Sequence, residues 1–302
     1  MKNNKFLITA VAAMFGVSIA NADISLADNL SLSGFVDASY SNTDNAAGRT
    51  ETIGLDQVEL DFAISGESVS AEVHLDSLGA GDTIRLEQAF ASYDLGNGLT
   101  VSGGRMLNLL GYESDEPTGL YTYSHAYSVD LVNGDLNLQD YKDGVRASFG
   151  VEDIAIGLSA YDSGGADLDL GYEAQVIFSG IENLTVAVGV ADDDEATISE
   201  AFNVWASYES GQMTLAAEYI DAETATGDVD GYLLLVNYQI NDNSSITVRY
   251  SEEESDAGTG ETLTISPNYS FTDNLGATIE YSTGEEAGND VDVFAIETTF
   301  TF

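Results

Sequence analysis

The sequence of 302 residues has no cysteine, which excludes disulfide bonds, thiolate metal sites and lipid attachment at a lipobox cysteine. Basic residues are also scarce, with 8 Lys and Arg against 52 Asp and Glu. A chain this acidic is repelled by phosphate backbones, so nucleic-acid binding is excluded. Proline occurs twice and glycine 30 times, a balance that suits many strands joined by tight turns better than long helices.

The N-terminus has the pattern of a secretion signal. Two lysines precede an apolar run from Phe6 to Ile19, and Ala20-Asn21-Ala22 follows as a small-residue cleavage site. We therefore expect residues 1–22 to be a signal peptide and residues 23–302 to form one exported domain. That domain holds 6 bases and 52 acids, which gives it a net charge of −46.

Beyond the signal, no apolar run approaches the roughly 18 residues of a membrane-spanning helix. The dominant period is two: Val58, Leu60 and Phe62, for example, alternate with Glu59 and Asp61. We count sixteen such runs between residue 29 and the C-terminus. A soluble β-sandwich would show the same alternation, so the choice between a sandwich and a barrel depends on other features.

Two features of the runs favour a membrane barrel. Aromatic residues on the apolar face fall toward the ends of the runs, and antiparallel neighbours place those ends at opposite rims, as in two interfacial girdles. Connections also alternate between short ones, such as LGNG at 95–98, and longer acidic ones, such as SEEESDAGTGET at 251–262. Short periplasmic turns and long external loops are typical of outer-membrane barrels.

The C-terminal run is the third feature. Phe294, Ile296, Phe300 and Phe302 share one face, and the chain stops on an aromatic residue. This ending resembles the C-terminal strand signature of outer-membrane proteins, which implies that the barrel-assembly machinery reads Phe302. We expect this last strand to pair with the first, near residues 29–41, and so to close the sheet.

These features predict an all-β fold: a transmembrane antiparallel up-and-down β-barrel of about 16 strands, with 14 to 18 compatible, in the outer membrane of a Gram-negative bacterium. It would contact membrane lipid and lipopolysaccharide. Because about sixteen strands leave an aqueous lumen and the inward positions are polar, we expect passive diffusion of small hydrophilic solutes and ions. The negative net charge of the domain favours the passage of cations over anions.

One connection, from about Asn108 to Asp140, is much longer than the others and forms the third external loop. General porins of this strand number resemble the chain in having a long third loop that folds into the barrel; a plain external lid is the alternative. Residues 85–128 also resemble the OmpL-like β-barrel porin family in EQAFASYDL, Gly-Gly-Arg, Leu-Gly-Tyr-Glu and Tyr-Ser-His-Ala-Tyr. This resemblance covers roughly a seventh of the chain. It implies a Gram-negative porin and supplies no catalytic residue.

Strand parity gives candidate residues for a constriction. Lys142 and Arg146 share one face of a run whose other face carries Val145, so both should point inward, and Arg249 follows the same logic. In general porins a basic wall faces carboxylates of the third loop. Arg105 has the parity of the apolar face of its own strand, so it is expected at the rim. For each of these charged residues, the alternative to a role in the constriction is a structural ion pair or a solvated position on the wall. The candidates are Glu113, Asp115, Glu116, Lys142, Arg146, Arg105 and Arg249.

Other functions receive little support from the sequence. The two histidines, His74 and His125, have no arrangement typical of a hydrolase, so no catalytic residue is predicted. The acidic clusters at 192–195 and 252–254 lack the spacing of a calcium loop, so neither a metal nor a cofactor is expected. The remaining alternative is a binding or adhesion module that acts through acidic external loops. The general-porin resemblance implies a homotrimer.

Overall fold

The structure is a computed structural model that describes residues 24–79, 83–127, 138, 140–164, 168–193, 198–224, 227–256, 258–286 and 288–302. The predicted signal peptide lies outside the described residues. Within these ranges, no helix is both long enough and apolar enough to cross a bilayer.

One antiparallel sheet contains all the strands of the described residues. The strands are β1 (Ile24–Ala27), β2 (Leu30–Asn45), β3 (Gly48–Ser65), β4 (Val69–Leu78), β5 (Arg85–Gly96), β6 (Leu99–Leu107), β7 (Tyr141–Val151), β8 (Ile154–Asp162), β9 (Leu170–Ile181), β10 (Leu184–Asp192), β11 (Ile198–Ser210), β12 (Met213–Thr224), β13 (Gly227–Asn241), β14 (Ser244–Ser255), β15 (Gly258–Thr272), β16 (Leu275–Glu286) and β17 (Asn289–Thr301). A 3-10 turn, Pro117–Gly119, lies between β6 and β7.

The sheet closes on itself. Each strand from β2 onward pairs with the next, and β17 pairs with β2, so sixteen strands form a closed barrel and β1 is an extra strand on β2. At the closure, Phe302 N donates to Gly34 O and Gly34 N donates to Phe302 O, both over 3.0 Å. The predicted sixteen-stranded barrel is confirmed. Closure pairs the backbone groups that would otherwise form open edges.

Alternation along each strand separates an apolar outer face from a polar inner face. On β7, Val145 is 57% exposed while its neighbour Arg146 is 9% exposed and points inward. On β3, Val58, Leu60 and Phe62 point outward while Glu59 points into the lumen. The outer surface is therefore the one that lipid would cover, and the polar side chains line the interior.

The external ends of several strands differ from the prediction. The predicted loop at 251–262 is wrong: β14 runs to Ser255 and β15 begins at Gly258, so the ladder continues into a tight turn. The ladder between β2 and β3 likewise continues to a tight turn, since the two strands pair as far as Asn45 and Gly48. Above the lipid both faces of a strand can be polar, so the apolar alternation ends while the backbone ladder does not.

Pro267 sits in the middle of β15 on the outward face. The register places it opposite Ile279 of β16, where proline cannot donate to the Ile279 carbonyl. The hydroxyl of Ser266 donates to that carbonyl over 3.0 Å instead. The neighbouring side chain thus replaces the ladder bond, and the register on both sides of Pro267 is unchanged.

Candidate functional site

The third external loop, between β6 and β7, folds into the barrel. Its first residues follow the inner wall: Leu109 N donates to Glu173 of β9 over 3.0 Å, and Tyr112 N donates to Glu218 of β12 over 2.8 Å. Between them, Gly111 N donates to Asn203 of β11 over 3.3 Å. Buried wall side chains therefore satisfy the loop backbone, which lies inside the lumen and not over its mouth.

Two charged residues hold the later part of the loop. Glu280 of β16 accepts hydrogen bonds from Tyr123 N, Ser124 N and Ser124 Oγ over 2.9, 3.2 and 2.7 Å. Arg249 of β14 donates to Glu113 over 2.8 Å and to the His125 carbonyl over 3.0 Å. The loop therefore contacts walls on both sides of the barrel.

Apolar packing fills the space between the loop and one wall. Tyr112 contacts Trp205 edge-on, with 5.6 Å between the ring centroids. Burial raises the pKa of Tyr112 to about 12, so its hydroxyl stays protonated. The loop is therefore packed against this wall by apolar contacts as well as by hydrogen bonds. The buried cluster comprises Leu109, Leu110, Ala126, Tyr127 and Leu138 with Ala201, Ala216, Ile220, Ala222, Val229, Leu233 and Leu235.

The inward bases that parity predicted lie against carboxylates. Arg146 donates through Nε to Ser159 Oγ over 2.9 Å and through Nη2 to Glu173 over 3.1 Å. Lys142 Nζ lies 3.0 Å from Asp140 and 3.5 Å from Asp193. Both side chains face the lumen side of β7, and Arg146 also donates to the Leu107 carbonyl at the start of the loop.

Arg249 and Arg105 have other placements. Arg249 is 1% exposed and behind the loop, so it anchors Glu113 and does not face open water. Arg105 pairs with Asp143 over 3.5 Å on the outward face, in register with Ala89. Its inclusion at the constriction is therefore wrong, because its parity points the guanidinium away from the lumen.

The loop carboxylate Glu116 lies beside acidic side chains of the wall. Among the described residues, Glu116 offers a carboxylate oxygen that lies within 4.8 Å of oxygens from Glu59 and Glu87. Burial, followed by the charge of Glu59, raises the pKa of Glu116. The wall opposite the loop is therefore acidic at this level and not basic. Asp115 accepts a hydrogen bond from the Tyr141 hydroxyl.

Sequence reasoning missed this acidic wall. The parity of β3 already placed Glu59 and Asp61 inward, and that signal was available in the alternation. Glu87 was harder to find, because an irregularity between His74 and Leu75 shifts the register of β4 with β5. His74 lies inside the wall, 3.2 Å from Asp61 and 3.4 Å from Glu59.

A closed sixteen-stranded barrel with an apolar exterior, a polar interior and a loop folded into its lumen is the architecture of a transmembrane diffusion channel. The chain belongs to the Gram-negative porin family, whose family model matches residues 9–289. The protein is therefore an outer-membrane porin, integral to the membrane, and the resemblance in the sequence is confirmed.

Solved structures share this fold at low sequence identity. OmpF from Salmonella typhi, in complex with daunomycin, superposes with a TM-score of 0.73 at 11% identity, covering 93% of this chain and 100% of that chain. An anion-selective porin from Comamonas acidovorans superposes with a TM-score of 0.71 at 14% identity, covering 90% of this chain and 99% of that chain. Outer-membrane expressed OmpT of Vibrio cholerae superposes with a TM-score of 0.64 at 13% identity, covering 92% of this chain and 100% of that chain. No curated protein matches the chain closely enough to count as a relative.

Proposed function

We propose that this porin is a cation-preferring channel for the passive diffusion of small hydrophilic solutes and ions. The observation that carries the proposal is the charge balance of the lumen. All six basic residues of the exported domain lie within 4.0 Å of a carboxylate, so each positive charge is already compensated. Many inward carboxylates remain, and a pore lined by them attracts cations.

The surplus acids lie on several strands around the lumen. Within the described residues, five buried inward carboxylates have no Lys, Arg or His nitrogen within 4.0 Å. They point into the same interior as the third loop, so their fields add in the region that a solute must cross. These residues are Asp37, Glu87, Glu218, Glu280 and Glu297.

The fold alone does not decide ion preference. The Comamonas acidovorans porin shares the architecture of this chain and is described as anion-selective. The sign of the lining charge must therefore determine selectivity in such barrels, and here the lining is acidic. The family and the fold do not favour the alternative of a binding or adhesion module.

We further propose the roles of the constriction residues. Asp115 and Glu116 face the passage from the loop, while Lys142 and Arg146 face it from β7. Glu113 and Arg249 act together as the anchor that keeps the loop in place. This arrangement differs from a basic wall opposite an acidic loop, because here the acidic wall and the acidic loop face the same space.

Planar-bilayer recording in a KCl gradient, with EDTA present, tests the proposal. We expect open-channel steps and a zero-current potential set mainly by K⁺. A potential set by Cl⁻ would overturn the cation preference, and a barrel that folds but gives no steps would overturn diffusion through the lumen. Swelling of liposomes in a neutral sugar provides the matching test for uncharged solutes.

Association with other molecules is also proposed. A homotrimer rests on the porin resemblance, and native gels with crosslinking would measure it. Contact with lipopolysaccharide follows from the outer-membrane location, and recognition by the assembly machinery follows from the paired C-terminal strand that ends at Phe302. Deletion of Phe302 should reduce insertion in cells more than refolding in detergent.

A further inference from the structure

We propose that Glu59, Glu87 and Glu116 form a divalent-cation site, with Ca²⁺ as its ligand, between the third loop and the barrel wall. The three residues come from β3, β5 and the loop. Ca²⁺ bound there would join the loop to the wall on the side opposite its Arg249 anchor. Its effect on conductance rests on the proposed channel function, but binding itself does not.

The spacing of the carboxylates fits a single ion. One oxygen from each residue lies within 4.8 Å of the other two. Ca²⁺ binds oxygen at 2.3–2.6 Å, so ligands on opposite sides of the ion are up to about 5 Å apart. All three side chains can therefore reach one Ca²⁺ without moving strands relative to each other.

Burial gives an independent reason to expect a ligand. Glu59 is 1% exposed and Glu87 is 5% exposed, and Oε2 of Glu87 has no hydrogen-bond partner among the described residues. Oε1 of Glu59 also accepts no hydrogen bond there, and its nearest basic group is His74 Nδ1 at 3.4 Å. A buried carboxylate oxygen without a partner is unfavourable, because it has lost water and gained nothing in return. Both residues belong to the cluster that includes Glu116.

Nearby basic residues offset the charge of this cluster only in part. Arg85 forms an ion pair with Asp76, donating through Nε to Oδ1 over 3.1 Å. His74 lies 3.2 Å from Asp61, 3.3 Å from Glu72 and 3.4 Å from Glu59, so its charge is shared among three acids when it is protonated. Gln57 of the wall donates to Glu116, with its Nε2 3.2 Å from Oε2.

The donor atoms favour calcium over other divalent ions. Glu59, Glu87 and Glu116 offer oxygen alone, the ligand type of hard cations. Mg²⁺ needs near-ideal octahedral geometry at 2.0–2.1 Å and retains several waters, whereas Ca²⁺ tolerates irregular sites with more ligands. Carboxylates brought together from three separate segments suit the larger and more tolerant ion.

Calcium binding can be measured on the refolded barrel in detergent. After removal of divalent ions with EDTA and buffer exchange, CaCl₂ is titrated in a calorimeter into wild type and into the double variant Glu59→Gln, Glu116→Gln. We expect wild type to bind one Ca²⁺ more than the variant, or to bind at least about tenfold more tightly at that site, because ligand charge sets affinity.

A control variant separates this site from the many surface acids. Glu254→Gln removes one charge from an exposed position on β14 and should leave the titration unchanged. Heat-modifiable migration on SDS gels verifies that each variant is folded. Equal Ca²⁺ uptake by folded wild type and by the double variant would overturn the site, as would loss of the same binding in Glu254→Gln.

The channel readout distinguishes this inference from the proposed function. Without divalent ions, ion preference in KCl tests the function alone. Added CaCl₂ should then reduce the K⁺ conductance of wild type and leave that of the double variant nearly unchanged. Cation preference without Ca²⁺ sensitivity would overturn only the site, whereas Ca²⁺ binding by an anion-preferring channel would overturn only the function.

Discussion

Arg249 Nη1 donates to Glu113 Oε1 over 2.8 Å and ties the third external loop to β14. The loop leaves the wall at β6, and eight steps around the ring of sixteen strands separate β6 from β14. The ion pair therefore fixes the loop at the wall opposite its origin. The loop therefore extends along the inner wall from β6 to the opposite side of the barrel.

Replacing Arg249 with Gln should release that end of the loop. The substitution leaves Glu113 without its buried charged partner, and breaking one half of such a pair costs about 3–5 kcal/mol of folded-state stability. We expect larger and noisier single-channel conductance, together with a lower thermal midpoint followed by circular dichroism.

Arg105→Gln is the matched control for Arg249→Gln. It removes the same charge from an exposed pair with Asp143 on the outward face. Conductance should remain that of wild type, because exposed ion pairs contribute little. Equal effects of the two substitutions would contradict a specific anchor at Arg249.

The buried carboxylate of Glu280 should be more sensitive to truncation than to neutralisation. Glu280→Ala removes the acceptor for Tyr123 N, Ser124 N and Ser124 Oγ, and each buried donor left unpaired costs about 1–3 kcal/mol. Glu280→Gln keeps one carbonyl oxygen as an acceptor, so its stability should lie between that of Glu280→Ala and that of wild type.

Tryptophan fluorescence provides the readout for this series. Trp205, the only tryptophan in the chain, packs against Tyr112 of the loop, so its emission reports loop docking. We expect a larger emission shift for Glu280→Ala than for Glu280→Gln. If both variants retain wild-type emission and conductance, Glu280 does not hold the loop.

Arg146 should tune ion preference. Its guanidinium lies 3.1 Å from Glu173, so Arg146→Gln removes a positive charge and leaves that carboxylate uncompensated. The K⁺ to Cl⁻ permeability ratio, measured from zero-current potentials, should increase. An unchanged ratio in a folded variant would remove Arg146 from the constriction, and a shift toward Cl⁻ would contradict the electrostatic explanation.

Barrel closure should depend on the absence of a side chain at Gly34. A Cβ there would lie 2.1 Å from the Glu59 carbonyl oxygen and 3.1 Å from the ring of Phe302. Gly34→Ala should therefore greatly reduce the folded fraction on heat-modifiable gels. Gly54→Ala is the control, since its Cβ meets nothing within 4 Å, and equal yields of the two variants would contradict the steric argument.

The fold was predictable because lipid imposes a simple pattern. Alternation placed Val145 outward and Arg146 inward, and the terminal aromatic run identified the strand that pairs with β2. Strand ends were less predictable, because residues such as Glu252 and Glu254 remain in the ladder after the apolar signal has ended. Polarity shows where lipid ends, and it does not show where pairing ends.

The candidate site was predictable only in part. Parity showed that Arg249 points inward, but it could not show whether the guanidinium faces water or the loop. The cluster of Glu59, Glu87 and Glu116 joins three segments that are distant in sequence, and its formation depends on strand register and on the path of the loop. Neither is encoded in a local pattern.

The zero-current potential of the wild-type channel in a KCl gradient, with divalent ions chelated, tests the central claim most directly. A potential close to that of a K⁺-selective membrane is the predicted result, because every base near the lumen is paired and carboxylates remain. A potential of the opposite sign, set by Cl⁻, would contradict the claim.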